Sequence, residues 1–149
     1  MDDYEKYEAE CKKIRKNNNK LLNDFRAWLK ASKLKHKTIR NHVNNVDVYI
    51  NEFLLYEDAV EAKDGASEIG MFLGYWFIKK AMWSSSAQIK SNAASLKKFY
   101  TFLFEKDQID KKDIDNLKVQ IKEKMPEWIA TLNRYVDPSI TDMEDVWGL

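Results

Sequence analysis

The chain has 149 residues and a formal net charge of +1, which is the size of one ordinary domain. Hydrophobic residues make up 44% and charged residues 33%, so the chain has enough apolar material for a core and is not intrinsically disordered. It contains only four glycines and two prolines. This scarcity of turn residues argues against a many-stranded barrel or sandwich and favours helices.

The single cysteine, Cys11, has no partner for an internal disulfide, and no group of Cys, His and carboxylate residues has zinc-ligand spacing. We therefore expect no metal, no cofactor and a reducing, cytoplasmic location. The acidic N-terminus lacks the apolar run of a secretory signal. The most hydrophobic stretch, residues 69–78, is about half the ~20 residues that cross a bilayer, so no membrane partner is expected.

The small net charge conceals blocks of opposite sign along the chain. Residues 11–46 contain eleven lysines and arginines against one acidic residue, and residues 79–112 contain eight against three. The blocks before, between and after them are acidic. If folding gathers the two basic blocks on one side, the surface favours polyanions; the alternative is that each block is only the solvated face of a helix.

Apolar residues recur with helical spacing in the first third of the chain. A leading helix is predicted over residues 3–17, and the apolar repeat then runs from residue 21 to about Ser32. The asparagines at 17–19 either cap a second helix or lie within a continuous one. The next helix is predicted over about 37–55, where a local strand-like alternation at 46–50 is outweighed by the longer helical window.

Two further core helices are predicted over residues 67–82 and about 85–105, the second after a serine cap. Gly70 and Gly74 in the first of them indicate close packing against a neighbouring helix. A helix ending near Met125, a short helix beginning at Pro126 and an acidic tail, in which Trp147 is the residue suited to docking, complete the predicted order.

Two segments resemble the N-terminal core-binding domain of tyrosine recombinases and phage integrases. Residues 21–53, LLNDFRAWLKASKLKHKTIRNHVNNVDVYINEF, are similar to the opening of that domain. Residues 86–103, SAQIKSNAASLKKFYTFL, are similar to its last major helix, and this second match is the more specific one. With Phe72 and Leu73 between them, the resemblance covers about residues 19–110.

The resemblance implies an all-α fold, a SAM-like bundle of four core helices arranged as two crossed helical hairpins. An extra N-terminal helical extension would occupy residues 1–18, the core-binding-like domain 19–110, C-terminal helices 111–137 and an acidic tail 138–149. In that family the second and fourth core helices face duplex DNA, while a separate catalytic domain closes over the other side. Those helices correspond to the basic parts of this chain.

The chain is therefore predicted to be a non-catalytic domain that binds duplex DNA through the basic surface of residues 33–44 and 84–98. Lysines and Arg40 would neutralise phosphates, whereas Asn41, Asn44 and Ser91 could reach base edges or sugars. The predicted DNA contacts are Lys35, Lys37, Arg40, Asn41, Asn44, Lys90, Ser91, Lys97 and Lys98.

Some features oppose this prediction. Ser91 and Asn92 stand where the family often has basic residues, and Asp47 and Glu52 on or beside the outer face of the second core helix would repel a DNA backbone. The alternative is a protein-interaction or regulatory module of a mobile element that has lost DNA binding, with the acidic C-terminal helices over the basic face. A recombinase or a second copy of the chain are further candidate partners.

An enzyme is not expected. Recombinase chemistry requires an activating Arg, a Lys, a His-x-x-Arg arrangement and a tyrosine nucleophile, and neither His36 nor His42 is followed by Arg three residues later. The sequence also has no GxxxxGK or GxGxxG motif and no recognisable Ser or Cys nucleophile motif. No small-molecule substrate is therefore predicted.

Overall fold

The structure is a computed structural model that describes residues 2–80 and 84–148, and its regular elements within these ranges are all helical. The all-α class is therefore confirmed. Met82, the predicted end of the third core helix, lies outside the described residues. The helices are α1 (Asp3–Ala31), α2 (His36–Asp47), α3 (Ile69–Met71), α4 (Phe77–Lys80), α5 (Ser86–Glu105), α6 (Lys111–Val136) and α7 (Met143–Trp147). None of the described helices is long and apolar enough to cross a membrane.

α1 is one continuous helix through the asparagine run, which settles the alternative that the sequence left open. The side chain of Asn18 is fully buried, and its Nδ2 donates to Ile50 O at 3.1 Å and to Asn51 Oδ1 at 2.8 Å. Asn18 is thus not a cap but a polar link between α1 and the end of the second core helix. The predicted boundary between the extension (1–18) and the core (19–110) falls inside α1.

α2 continues without a break into a π-helical turn, Val48–Phe53, so the helical reading of residues 46–50 is correct. Tyr49 in this turn donates from its hydroxyl to Gly65 O at 2.5 Å, and Tyr100 on α5 donates to Ala62 O at 2.7 Å. Burial raises the pKa of both phenols well above the usual 10.0, so both remain protonated donors. These two hydrogen bonds hold the loop that contains Ala62 and Gly65 against the core.

The third core helix is more irregular than the sequence predicts. Short 3₁₀ turns at Ala62–Asp64 and Ala66–Glu68 precede α3, and a π-helical segment, Phe72–Trp76, joins α3 to α4. Phe72 packs edge-on against Tyr49 with 4.9 Å between ring centroids and lies 5.0 Å from Phe53. Aromatic packing therefore holds residues 69–80 against the π-helical end of α2.

α5 is the central helix of the bundle and confirms the predicted helix over about 85–105. Ser85 caps it by accepting the backbone N–H of Gln88 at 3.2 Å. Phe99 is fully buried and meets Phe25 of α1 edge-on at 5.3 Å, while α2 and α6 pack on other sides of α5. α5 thus fixes where its neighbours can lie; the SAM-like arrangement of crossed hairpins stays a prediction.

The predicted helix start at Pro126 is wrong, because Pro126 lies inside α6. Proline has no backbone N–H, so the carbonyl of Lys122 loses its helical partner, but both residues are exposed and water can replace that bond. The apolar stripe continues across the proline from Ile121 to Trp128 and Leu132, all buried. Burial of this continuous stripe outweighs the one missing hydrogen bond.

The C-terminal tail is docked by its tryptophan, as the sequence predicts. Trp147 of α7 lies 4.7 Å from Tyr75 and 5.9 Å from Tyr135, measured between ring centroids. Arg134 Nε donates to Val146 O at 3.0 Å, and the Val146 side chain is buried. α7 therefore packs against α6 and the segment at residues 72–76.

The two glycines at residues 70 and 74 permit close contact with α6, which confirms the packing interpretation. A Cβ added to Gly74 would lie 2.9 Å from Cδ1 of the buried Trp128 ring. A Cβ added to Gly70 would lie 2.8 Å from Nε2 of Gln120, the far end of a flexible side chain.

Gly74→Ala is expected to lower the free energy of unfolding by about 1–3 kcal/mol, because the added Cβ forces the buried Trp128 ring to shift. Gly70→Ala is the matched control: the Gln120 amide can swing away, and alanine favours helix by up to ~1 kcal/mol. Urea denaturation measures both changes. Equal stability of the two variants would contradict the proposed difference in packing.

Candidate nucleic-acid interface

The two predicted basic segments meet at a buried polar junction between α2 and α5. Ser95 of α5 is fully buried, and its hydroxyl donates to Ser91 O at 3.0 Å. Asn45 Nδ2 of α2 donates to Ser95 Oγ at 2.9 Å and to Ser91 Oγ at 3.1 Å. His42 Nδ1 of α2 lies 2.7 Å from Ser95 Oγ. This cluster fixes how the two helices face each other.

The contact with Ser95 holds the imidazole ring of His42 at the junction. Ser95 Oγ lies within hydrogen-bonding distance of both His42 Nδ1 and Ser91 O. Burial lowers the pKa of His42 below 6.5, and the nearby Lys98 ammonium lowers it further. His42 is therefore neutral at pH 7 and adds no charge to this surface.

The residues around α2 that are predicted to bind DNA are all exposed. Lys37, Asn41 and Asn44 follow one another at spacings of four and three, on the solvent side of α2. Arg40 lies three residues after Lys37 and four residues before Asn44, so it neighbours both on that side. Lys35 is exposed at the residue before α2.

The α5 residues predicted to bind DNA occupy two neighbouring rows. Ser91 and Lys98 are half-buried on the row that contains Ser95 and borders α2. Lys90 and Lys97, seven residues apart, are exposed on the next row outward. We name the surface formed by these rows the α2–α5 face: Lys37, Arg40, Asn41, Asn44, Lys90, Ser91, Lys97 and Lys98.

The charge of this face is positive and is not paired internally. Residues 33–46 contain four basic residues and residues 84–98 contain three, with no acidic residue in either range. Within residues 2–80 and 84–148, the ion pairs shorter than 4.0 Å join other residues: Lys63 to Glu61, Lys111 to Asp115 and Lys124 to Glu127. The cations of the α2–α5 face are therefore available to an external anion.

The carboxylates that oppose DNA binding lie at one end of the face. Asp47, the last residue of α2, is three residues after Asn44 and accepts a hydrogen bond from Asn51 at 2.5 Å. Glu52 lies beyond the end of α2, at the wall of a cavity described below. The C-terminal helices also leave Lys37, Lys90 and Lys97 exposed.

A cavity of about 400 Å³, not predicted from the sequence, lies beside the face between α2, residues 76–80 and α5. We name it the amide cavity because four of its residues are carboxamides. It is lined by Asn44, Asn45, Val48, Glu52, Trp76, Phe77, Lys80, Gln88 and Asn92. Asn92 is polar and yet only 3% exposed. A polar residue beside the apolar arc of α5 is the sequence feature that could have indicated the cavity.

Among the described residues, no group of three or more His, Cys, Asp and Glu side chains is placed to hold a metal ion. Comparisons of the chain with protein-family models, with curated proteins and with solved structures found no match. The resemblance to the core-binding domain accordingly stays a prediction.

Replacing Lys98 with Met is expected to raise the pKa of His42, because the substitution removes the positive charge that helps to lower it. Lys90→Met, one row further from His42, is the control and should leave that pKa unchanged. NMR titration of the imidazole signals measures both. An unchanged His42 pKa in Lys98→Met would contradict the placement of Lys98 beside His42.

The same pKa predicts how stability varies with pH. Between the lowered folded-state pKa and 6.5, the unfolded chain binds more protons at His42 than the folded chain does. This contribution to stability is therefore complete above pH 6.5 and declines as the pH falls through that window. In thermal melts, His42→Gln should therefore lose less stability over this pH range than the wild-type protein does.

Proposed function

We propose that the chain is a non-catalytic DNA-binding domain that binds duplex DNA through the α2–α5 face. One observation carries the proposal. Two basic segments, distant in the sequence and free of acidic residues, lie side by side because Ser95 of α5 is hydrogen-bonded to α2. Lys37, Lys90 and Lys97 on these segments are exposed, and no described carboxylate forms an ion pair with them.

The residue types on the face suit the two parts of DNA recognition. Lysine ammonium groups neutralise phosphates, which supplies sequence-independent affinity. Asn41 and Asn44 are exposed carboxamides that can both donate to and accept from base edges. Lys90 and Lys97 lie roughly 10 Å apart along α5, a length that covers about three nucleotides of one strand.

Arg40 lies beside Lys37 and Asn44 on α2, so we keep it among the proposed phosphate contacts. We assign a positioning role to the hydrogen-bonded residues at the junction, which are His42, Asn45 and Ser95. Their hydrogen bonds fix how α2 and α5 face each other and so where the exposed residues of the face lie.

Reversing the exposed cations of the face is expected to weaken DNA binding by more than about 100-fold, because each lost phosphate contact and each added repulsion acts at the interface. The variant is Lys37→Glu, Lys90→Glu, Lys97→Glu, and the readout is fluorescence anisotropy of a labelled generic duplex. For about five neutralised phosphates, wild-type affinity should also fall roughly 500-fold over a fourfold rise in salt.

The matched control places the same charge change on α6, with Lys112→Glu, Lys118→Glu, Lys122→Glu, all exposed. Both triple variants change the net charge equally, so a specific face predicts less than about a threefold loss for the control. Equal losses in the two variants would show that only net charge matters, and retained affinity in the face variant would reject the proposed surface.

A protein-interaction role is the second candidate. Tyr56, Met71 and Tyr75 line one cavity of about 300 Å³ with exposed apolar side chains, beside Glu57, Asp58 and Glu68. Aromatic and methionine side chains are typical of protein interfaces. If folded wild-type protein does not bind DNA at low salt, this candidate is the better supported of the two.

A further inference from the structure

We propose that the amide cavity binds a nucleobase. Where the base belongs to a bound nucleic acid, this proposal rests on the proposed DNA-binding function. The shared chemistry is a planar heterocycle with hydrogen-bond donors and acceptors along its edge. Its two possible sources are an unpaired base of DNA on the α2–α5 face and a free nucleoside.

The aromatic wall of the cavity is preformed. Trp76 is stacked on Phe72 with 5.6 Å between centroids and 30° between planes, and Phe53 meets Trp76 edge-on at 5.7 Å. Phe77 lies next to it and is buried. The volume of about 400 Å³ is within the usual range of small-ligand sites, roughly 300–1,000 Å³. A flat apolar wall in a site of this size suits an aromatic ring.

Two of the four carboxamides are held in fixed orientations. Asn45 Nδ2 donates to Ser91 Oγ and Ser95 Oγ, so its remaining acceptor is Oδ1. Asn92 Nδ2 donates to Gln88 O at 2.8 Å, and its Oδ1 has no hydrogen bond to another described residue. Asn92 is 3% exposed and lines the cavity, so we place this oxygen at the cavity wall as an acceptor.

The side chains of Asn44 and Gln88 make no hydrogen bond to other described residues, so each offers both a donor and an acceptor. Fixed acceptors beside adaptable amides match the mixed edge of a nucleobase, which carboxamides read in DNA complexes. A ligand with donors alone or acceptors alone would leave some of these amides unpaired.

Glu52 is the residue of the cavity that favours a base over a phosphate. It contributes a carboxylate, which repels phosphate and can accept a hydrogen bond from an exocyclic amino group. Lys80 Nζ donates to Tyr56 OH at 3.3 Å and lies 5.0 Å from the centroid of that ring, and its ammonium keeps its charge and two further donors. We therefore expect amino-bearing bases to bind better than thymine.

The position of the cavity connects it to the proposed DNA surface. Asn44 belongs to both the α2–α5 face and the cavity wall. A base within a regular duplex is stacked and cannot enter a pocket, so only an unpaired or extruded base could do so.

The test uses 2-aminopurine, a fluorescent amino-bearing base, as one unpaired nucleotide in an otherwise regular duplex. We expect this duplex to bind at least about tenfold more tightly than the fully paired duplex, with a change in 2-aminopurine fluorescence as the base stacks on Trp76. An unpaired thymine at the same position should give a smaller gain. The free 2-aminopurine nucleoside is titrated separately.

Two variants test the cavity itself. Asn92→Leu removes the acceptor at similar volume, and Gln88→Ala truncates a half-buried side chain outside the buried core. Both should abolish the preference for the unpaired base while leaving affinity for the paired duplex within about threefold. Asn41→Ala, on the face but outside the cavity, should lower affinity for both duplexes equally.

The outcomes separate the two proposals. Equal binding of both duplexes without a fluorescence change overturns the nucleobase site and leaves DNA binding standing. If neither duplex binds, the proposed function fails and the free nucleoside decides the cavity: a saturable fluorescence change lost in Gln88→Ala supports the site, and no change overturns it. A preference that survives both variants also overturns it.

Discussion

The hydroxyl of Ser95 is the point on which the arrangement of the surface depends. It is fully buried, and it satisfies His42 and Asn45 of α2 while donating to its own helix. Because a buried polar group without a partner costs about 1–3 kcal/mol, rotation of α2 against α5 is disfavoured. With residues 42 and 45 fixed toward α5, residues 37, 40, 41 and 44 lie on the solvent side of α2.

A second constraint places the end of α2 and the cavity beside it. Tyr49 and Tyr100 donate to the loop before α3, and Phe72 packs edge-on against Tyr49. These contacts bury large aromatic side chains and satisfy both hydroxyls, so the π-helical segments are stabilised despite their irregular geometry. Trp76 is carried on one of these segments, which is how an aromatic wall comes to stand opposite the carboxamides of α2 and α5.

The sequence predicts α2 and α5 well, because long apolar repeats with spacings of three and four are strong helix signals. It predicts Pro126 wrongly, since a local breaker cannot reveal that the apolar stripe of α6 continues to Trp128 and Leu132. The exposed positions of the basic residues follow from charge and helical periodicity, whereas the hydrogen bonds of Ser95 that join the two segments could not be predicted. The amide cavity could not be predicted, because its wall joins three segments that only folding brings together.

The most direct measurement is the mapping of DNA-induced chemical-shift changes onto backbone amides of the whole chain. If α2 and α5 present one DNA-binding surface, the largest changes should cluster at residues 35–45 and 87–98, with residues 111–136 little affected. Changes centred on residues 56–75, or spread evenly over both basic and acidic segments, would contradict the account.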